Sequence, residues 1–323
     1  MTIIYVTRKI PEAGLALLRA KGYEVDVNPI DALPTKTDLI EALKKKPYDV
    51  VVGLLVDTLD ASVFDAAPSL KLYANYAIGY NNVDIIEAKK RGITVTNAPG
   101  DYMDCIAEHT FALILALTTR TVEADDFVRA GKYAGWAPMN FIGTDLKGTI
   151  LGLVGAGHIG KAVARIAKNG FGMNIIYTDV VRNETIEKEY GAVFIPELDV
   201  LLPQADVVSL HVPLLDSTRH LINADRLKHM KPGAFLINTS RGPVIDEVAL
   251  VDALKNHIIA GAGLDVFENE PVLAPGLVGL PNVVLTPHIA SASQNARDLM
   301  AVTAANNVID FVEGRIPRNI VNP

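Results

Sequence analysis

The sequence predicts an α/β protein of two doubly wound parallel-sheet domains, one inserted into the other. Three observations predict it. Short apolar runs alternate with helical patterns along nearly the whole chain, which implies parallel strands with helices on both faces. The 323 residues are many for one core, so two domains are expected. A glycine-rich turn of the kind that follows the first strand of a sheet stands in mid-chain, at Gly155–Gly160, so its domain begins well after residue 1.

In the first hundred residues the strand candidates are Ile3–Val6, Glu24–Val27, Val50–Gly53, Lys71–Asn75 and Thr94–Thr96. Helical patterns fall between them at Pro11–Ala20, Thr37–Lys44 and Val83–Lys89. Ala98-Pro-Gly100 breaks the alternation, and a long apolar helix follows from about Tyr102 to Thr119. After a polar, glycine-containing stretch at 129–145, a second series opens. Its strands are Thr149–Val154, Asn174–Thr178, Val193–Ile195, Val207–Leu210, Ala234–Asn238, Ala260–Leu264 and Val283–Leu285. A final helix covers Ser293–Val312. The economical arrangement is a substrate domain of residues 1–99 and 290–323, interrupted by a cofactor domain of residues 100–289. The cleft between two such domains is the expected active site.

The mid-chain turn reads Gly155-Ala-Gly157-His158-Ile159-Gly160, after the apolar run Thr149–Val154 and before a helical pattern at Lys161–Asn169. A second apolar run ends in Asp179, nineteen positions beyond Gly160. Strand, G-x-G-x-x-G, helix, strand and acid form the dinucleotide-binding fingerprint. Gly155 permits the tight turn, Gly157 lets the backbone approach a pyrophosphate, and Gly160 lets helix and strand pack closely. The helix N-terminus offers free N–H groups to the phosphates. A carboxylate at Asp179 accepts from ribose hydroxyls and repels a 2′-phosphate, so the expected cofactor is NAD, with NADH preferred over NADPH. This places a Rossmann sheet within a flavodoxin-like substrate domain.

Composition narrows the remaining classes. Half the residues are apolar and about a fifth are charged, as in a globular protein with large cores. A formal charge of −7, with Lys44-Lys45-Lys46 as the nearest approach to a basic cluster, argues against nucleic acid as a partner. Cys105 is the only cysteine, which excludes internal disulfides and multi-cysteine metal sites, and no metal is expected. The longest apolar stretch, Phe111–Leu117, is too short for a membrane span. The opening Met1-Thr-Ile-Ile-Tyr-Val6 is followed at once by Arg8 and Lys9, a strand rather than a secretory leader. A soluble cytoplasmic protein is expected.

Three late segments carry polar residues just past strand ends, where open α/β sheets bind ligands. They are Ile237-Asn-Thr239-Ser240-Arg241-Gly-Pro, Leu264-Asp265-Val-Phe-Glu268-Asn-Glu270-Pro271 and Leu285-Thr-Pro-His288-Ile-Ala-Ser-Ala-Ser293. Singly, Arg241 reads as a surface ion-pair partner, Glu270 as a turn residue and His288 as a helix cap. Jointly, they follow strands of one sheet and supply a fixed cation, a carboxylate and a titratable imidazole. Reduction of a 2-oxo acid by hydride needs that set: the guanidinium fork suits the substrate carboxylate, and a protonated imidazole supplies the carbonyl oxygen with a proton. An ordinary imidazole, with pKa of about 6.5, needs a neighbouring carboxylate to stay charged at neutral pH.

These segments resemble the D-isomer-specific 2-hydroxyacid dehydrogenase family, and the likeness runs along most of the chain. It includes Ile78-Gly79-Tyr-Asn-Asn-Val-Asp84, Asn97-Ala-Pro-Gly100, Ala107-Glu-His-Thr110, the fingerprint and His211-Val212-Pro213. The resemblance implies Arg241 on the substrate carboxylate, His288 as acid/base and Glu270, directly before Pro271, as its partner. It also implies Asp265 on the nicotinamide carboxamide, Thr239, His211, Val212 and Pro213 along the nicotinamide riboside, and Ser240 as a further cofactor contact. His158 and Ile159 join the pyrophosphate turn. The N–H groups of Ile78 and Gly79 are implied as further donors to the substrate carboxylate. Met103 stands where many members have threonine, so a hydroxyl contact from that helix start is missing or replaced.

Within the family the wording around Trp136-Ala-Pro, Gly143–Gly148 and Ile237–Pro243 is most similar to glyoxylate/hydroxypyruvate reductases. The partner implied is then a small 2-oxo or 2-hydroxy acid. D-lactate and other D-2-hydroxyacid dehydrogenases are the alternative, since Leu54, Leu55, Tyr80, Tyr102 and Trp136 set a pocket size that sequence leaves open. Phosphoglycerate dehydrogenases usually carry C-terminal extensions, and related formate dehydrogenases have glutamine at the Glu270 position. NAD-binding transcriptional corepressors also keep the trio but carry a long disordered tail. A two-fold homodimer is expected from the family and from a Tyr102–Thr119 helix too apolar to face solvent all round.

Overall fold

The computed structural model describes residues 1–30 and 32–323, and the chain divides into two units, Met1–Tyr102 with Ala292–Pro323, and Met103–Ser291. The first unit runs β1 (Ile3–Val6), α1 (Glu12–Ala20), β2 (Glu24–Val27), α2 (Lys36–Leu43), β3 (Val50–Gly53), α3 (Ala61–Ala66), β4 (Leu72–Asn75), α4 (Ile85–Lys90) and β5 (Thr94–Thr96). The second runs α5 (Met103–Thr118), α6 (Thr121–Arg129), β6 (Ile150–Val154), α7 (His158–Phe171), β7 (Asn174–Thr178), α8 (Glu184–Tyr190), β8 (Val193–Phe194), α9 (Leu198–Leu201), β9 (Val207–Leu210), α10 (Ala224–His229), β10 (Phe235–Asn238), α11 (Glu247–Lys255), β11 (Gly261–Leu264) and β12 (Val283–Leu285). The chain then returns to the first unit as α12 (Gln294–Val312).

Both sheets are wholly parallel, as predicted. The first has order β2-β1-β3-β4-β5, the second β12-β11-β10-β9-β6-β7-β8. Strands such as β3, β4 and β9 are buried along their full length. Their near-continuous apolar sequence is what a sheet covered on both faces requires. In the first unit α12 lies so close to α1 that a Cβ on Gly14 would stand 2.5 Å from the carbonyl oxygen of Ala301. In the second, the glycines of β11 leave room for α5: a Cβ on Gly263 would reach within 3.0 Å of the Leu113 Cβ.

Several elements differ from the sequence expectation. Helix α7 begins at His158, so it opens inside the fingerprint and Gly160 sits in its first turn. Close packing keeps that position glycine, since a Cβ there would lie 2.3 Å from the Gly155 oxygen. The sequence pattern does not predict α3, α6 or α8–α11; none exceeds nine residues, too few for a strong periodic signal. α6 buries no residue at all. The long apolar helix spans Met103–Thr118, and its Phe111, Leu113, Ile114 and Leu117 join the core of its own unit. Its apolarity is therefore accounted for without a second copy. Among the described residues no helix is long and apolar enough to cross a membrane.

Candidate active site

Strand register aligns the ends of the second sheet. Val154 pairs with Leu210, Leu210 with Asn238, Asn238 with Leu264 and Leu264 with Leu285. One residue further on, Gly155, His211, Thr239, Asp265 and Thr286 therefore stand in a row along the carboxyl edge. Every cofactor and catalytic residue expected in this unit, Asp179 included, lies on this row, in the turns leaving the strand ends or in the first turn of α7.

The three fingerprint glycines are needed for different reasons. Gly155 has φ +96°, which side chains disfavour, and a Cβ there would lie 2.7 Å from the His211 carbonyl oxygen. Gly160 would place a Cβ 2.3 Å from the Gly155 oxygen. Gly157 has ordinary dihedrals (φ −71°) and no atom within 4 Å of its Cβ position. It caps α7 without a side-chain hydrogen bond, so the first amides of a 14-residue helix point outward at the bare turn. No described residue needs Gly157 to be glycine, whereas an anion seated on the helix N-terminus would. The residues present thus fit a dinucleotide pyrophosphate.

Asp179 stands beside this turn. Its Oδ2 accepts from Ala156 N (2.7 Å) and its Oδ1 from Val180 N (2.7 Å), fixing the carboxylate against the turn. Arg182, the cation nearest to Asp179 in sequence, is held by Glu187 through Nε and Nη2, each at 2.7 Å. Val180 and Val181 are exposed and apolar. His158 is exposed at the start of α7, with Ile159 half-buried beside it. His211 bonds Ser209 through Nε2 at 2.9 Å, and burial pushes its imidazole down to about 4.

The catalytic candidates converge within the same unit. His288 Nδ1 lies 2.9 Å from Glu270 Oε2, and Glu270 Oε1 accepts from Phe267 N at 3.0 Å. Burial raises the Glu270 carboxyl, but the hydrogen bond and charge of His288, the Phe267 amide and Arg241 outweigh it and hold the group below its usual range. Burial in turn draws the Arg241 guanidinium downward, with the Glu270 charge opposing. Arginine stays ionised under such shifts. The Arg241 turn is pressed against the Glu270 turn at Gly242, where a Cβ would fall 1.8 Å from the Phe267 carbonyl oxygen. Asn238, fully buried, holds this turn by donating to the Arg241 oxygen (2.9 Å) and accepting from Ser240 N and Oγ (3.0 and 2.8 Å).

The neighbouring Glu268 has other partners. Its Oε1 lies 2.6 Å from His220 Nε2 and 3.4 Å from Arg219 Nη2, so the two glutamates of the turn are sorted by histidine. Sequence missed this second His–Glu pair, because its members are 48 residues apart.

Asp265, expected against the nicotinamide, has no exposed surface, and both its oxygens are engaged by the turn that carries His288. Oδ1 accepts from Thr286 Oγ1 (2.7 Å) and Ile289 N (2.8 Å), Oδ2 from Ala290 N (2.8 Å). Burial raises this carboxyl, yet hydrogen bonds from His109, Thr286 and the two amides hold it below the usual range. The turn needs such a clamp, since His288 has φ +56°, a left-handed conformation uncommon outside glycine. Thr239, expected along the riboside, is mostly buried and bonds Thr110 across 3.1 Å.

In the first unit, Ile78 and Gly79 follow β4. Asn97 Nδ2 donates to the Ile78 oxygen and Asn75 Nδ2 to the Gly79 oxygen, both at 2.7 Å. These paired asparagines fix the peptide planes of the loop, a task that nothing in the sequence pattern assigns to either one. Among the described residues no group of three or more metal-binding side chains occurs.

Comparison with known proteins identifies the family. The family model for the NAD-binding domain of D-isomer-specific 2-hydroxyacid dehydrogenases matches residues 111–290. A glyoxylate reductase of Korarchaeum cryptofilum is 50% identical over 321 residues, covering 99% of this chain and 95% of that one. A solved protein of Thermus thermophilus superposes with TM-score 0.91 at 42% identity, covering 99% and 100% of the two chains. An NADPH-dependent glyoxylate/hydroxypyruvate reductase of Sinorhizobium meliloti, solved with citrate, superposes with TM-score 0.86 at 33% identity, covering 100% and 99%. The chain therefore belongs to the D-isomer-specific 2-hydroxyacid dehydrogenase family, is similar to its glyoxylate reductases, and is an oxidoreductase with an NAD-binding domain.

Proposed function

We propose that this protein reduces a small 2-oxo acid of the glyoxylate or hydroxypyruvate type to the D-2-hydroxy acid, with NADH preferred. The observation that carries the reading is the His288–Glu270 pair at 2.9 Å, set beside the half-buried Arg241, whose charge acts on Glu270. A bound dihydronicotinamide supplies the hydride. With Nδ1 committed to Glu270, His288 presents Nε2, and the protonated imidazole gives its proton to the carbonyl oxygen as negative charge builds there. Glu270 orients the ring and balances the imidazolium charge. Arg241 binds the substrate carboxylate through its planar fork and offsets its charge. For the first unit we propose that the amides of Ile78 and Gly79 hold a carboxylate, their carbonyls being tied to Asn97 and Asn75.

The NADH preference rests on Asp179, pinned to the Ala156 amide, and on Arg182 being occupied by Glu187. The S. meliloti relative uses NADPH by its name, so this preference is a property of these residues rather than of the fold. A homodimer remains part of the proposal. Its support is the exposed Val122, Val128, Tyr133, Trp136, Met139 and Ile142 on α6 and the following loop; light scattering of the purified protein reads it directly.

Steady-state assays with glyoxylate, hydroxypyruvate and pyruvate, each with NADH and NADPH, test the reading. His288→Ala should lower kcat by about 10²–10⁴-fold, and Arg241→Ala should damage substrate KM and kcat together. Near-parental turnover in His288→Ala sinks the mechanism. Chiral chromatography of the hydroxypyruvate product should show D-glycerate; mainly L-glycerate sinks the stereochemical part.

A further inference from the structure

Helix α5 packs against β10, β11 and β12, and two consecutive residues on it touch the row that leads into all three catalytic turns. Thr110 Oγ1 donates to the Ile106 oxygen (2.9 Å) and meets Thr239 Oγ1 at 3.1 Å, so the hydrogen between the two hydroxyls comes from Thr239. His109 Nε2 lies 3.0 Å from Thr286 Oγ1 and 3.3 Å from Asp265 Oδ1. Thr286 spends its own hydrogen on Asp265 Oδ1, 2.7 Å away. Nε2 therefore faces two acceptor oxygens and must carry a hydrogen; a bare lone pair there would be repelled by both.

The consequence runs to His288. Asp265 holds the turn by accepting from Ile289 and Ala290 amides, and its backbone oxygen accepts from His288 N at 2.9 Å. That clamp keeps His288 left-handed and so aims its ring. Rotamers at a reactive site are only as fixed as the groups supporting them. Without the His109 donor, Asp265 Oδ1 loses one of its three partners in a fully buried position, and Thr286 loses its tie to the helix.

We propose that His109 is a positioning residue: donating from Nε2 to the Thr286–Asp265 pair, it holds the 286–290 turn and sets the aim of His288. This rests on the reading of His288 as the proton donor. The test compares His109→Leu, which removes the donor, with His109→Gln, whose terminal amide can donate at similar reach. His109→Leu should lower kcat for glyoxylate reduction about tenfold or more, since misplacements near 1 Å cost up to about 10²-fold, while KM for NADH stays within about twofold. His109→Gln should recover most of the loss. Thr286→Val, which breaks the same link from the other side, should show a similar loss, and the double variant His109→Leu/Thr286→Val should be no worse than the poorer single one.

Parental kcat in His109→Leu or in Thr286→Val, equal damage in Leu and Gln, or multiplying losses in the double variant overturns the proposal. His288→Ala run alongside separates the two levels. If it loses turnover while His109→Leu does not, only the positioning role fails; if it keeps turnover, the proton-donor reading fails and the positioning role with it.

Discussion

Replacing the fingerprint glycines one at a time should separate folding from cofactor binding. In Gly160→Ala the new Cβ would lie 2.3 Å from the Gly155 oxygen, where ordinary contact begins at 3.4 Å, so backbone must move by about 1.1 Å. Overpacking of that kind costs about 1–3 kcal/mol. For a unit the size of Met103–Ser291, each kcal/mol lowers Tm by about 2–4 °C, so a fall of about 2–12 °C is expected. Gly157→Ala meets no atom within 4 Å and keeps allowed dihedrals; the poorer helix cap costs at most about 1 kcal/mol. On the proposed seating of the pyrophosphate at this turn its methyl group would meet the cofactor, so KM for NADH should rise at least tenfold, about 1.4 kcal/mol. Calorimetry without cofactor and steady-state kinetics with NADH read the two effects. An unchanged KM for NADH in Gly157→Ala, or a larger loss of Tm there than in Gly160→Ala, would refute the assignment of these glycines.

Other outcomes follow from the charges. kcat/KM should be higher with NADH than with NADPH, and Asp179→Ala should narrow the gap; equal use of both cofactors by the parent removes the role given to Asp179. Glu270→Gln removes the negative charge 2.9 Å from His288, so reduction should fail at lower pH than in the parent. An unmoved high-pH limb of the profile contradicts the pairing. The His211 imidazole, depressed to about 4, stays neutral in the folded state where the unfolded one already binds a proton. Stability is therefore unaffected above pH 6.5 and lost as pH falls from about 6.5 toward 4. About 2 kcal/mol should go between pH 7 and 5, read from urea midpoints, and His211→Gln should flatten that slope.

What the sequence by itself determined is whatever depends on neighbours along the chain. Runs such as Val50-Val-Val-Gly53 and Val207-Val-Ser-Leu210 are strands because a buried parallel sheet needs unbroken apolar stretches. The fingerprint is legible because turn, helix N-terminus and acid lie within 25 residues of one another. The trio Arg241, Glu270 and His288 could be named because all three stand just past strand ends and match a family pattern, not because anything in the sequence shows them meeting.

Contacts were decided by the tertiary structure. The choice between Glu268 and Glu270, made from the family position, is sorted physically only when His220 and His288 arrive from distant segments. Asp265 reads as a ligand contact in sequence; three-dimensional structure adds its part as the clamp of the His288 turn, because residues 109, 286, 289 and 290 converge on one buried carboxylate. The apolar α5, expected to need a second copy, is covered by the glycine-bearing strand of its own sheet. Hydrogen-bond partners and close approaches depend on register and packing, and a one-dimensional pattern carries neither.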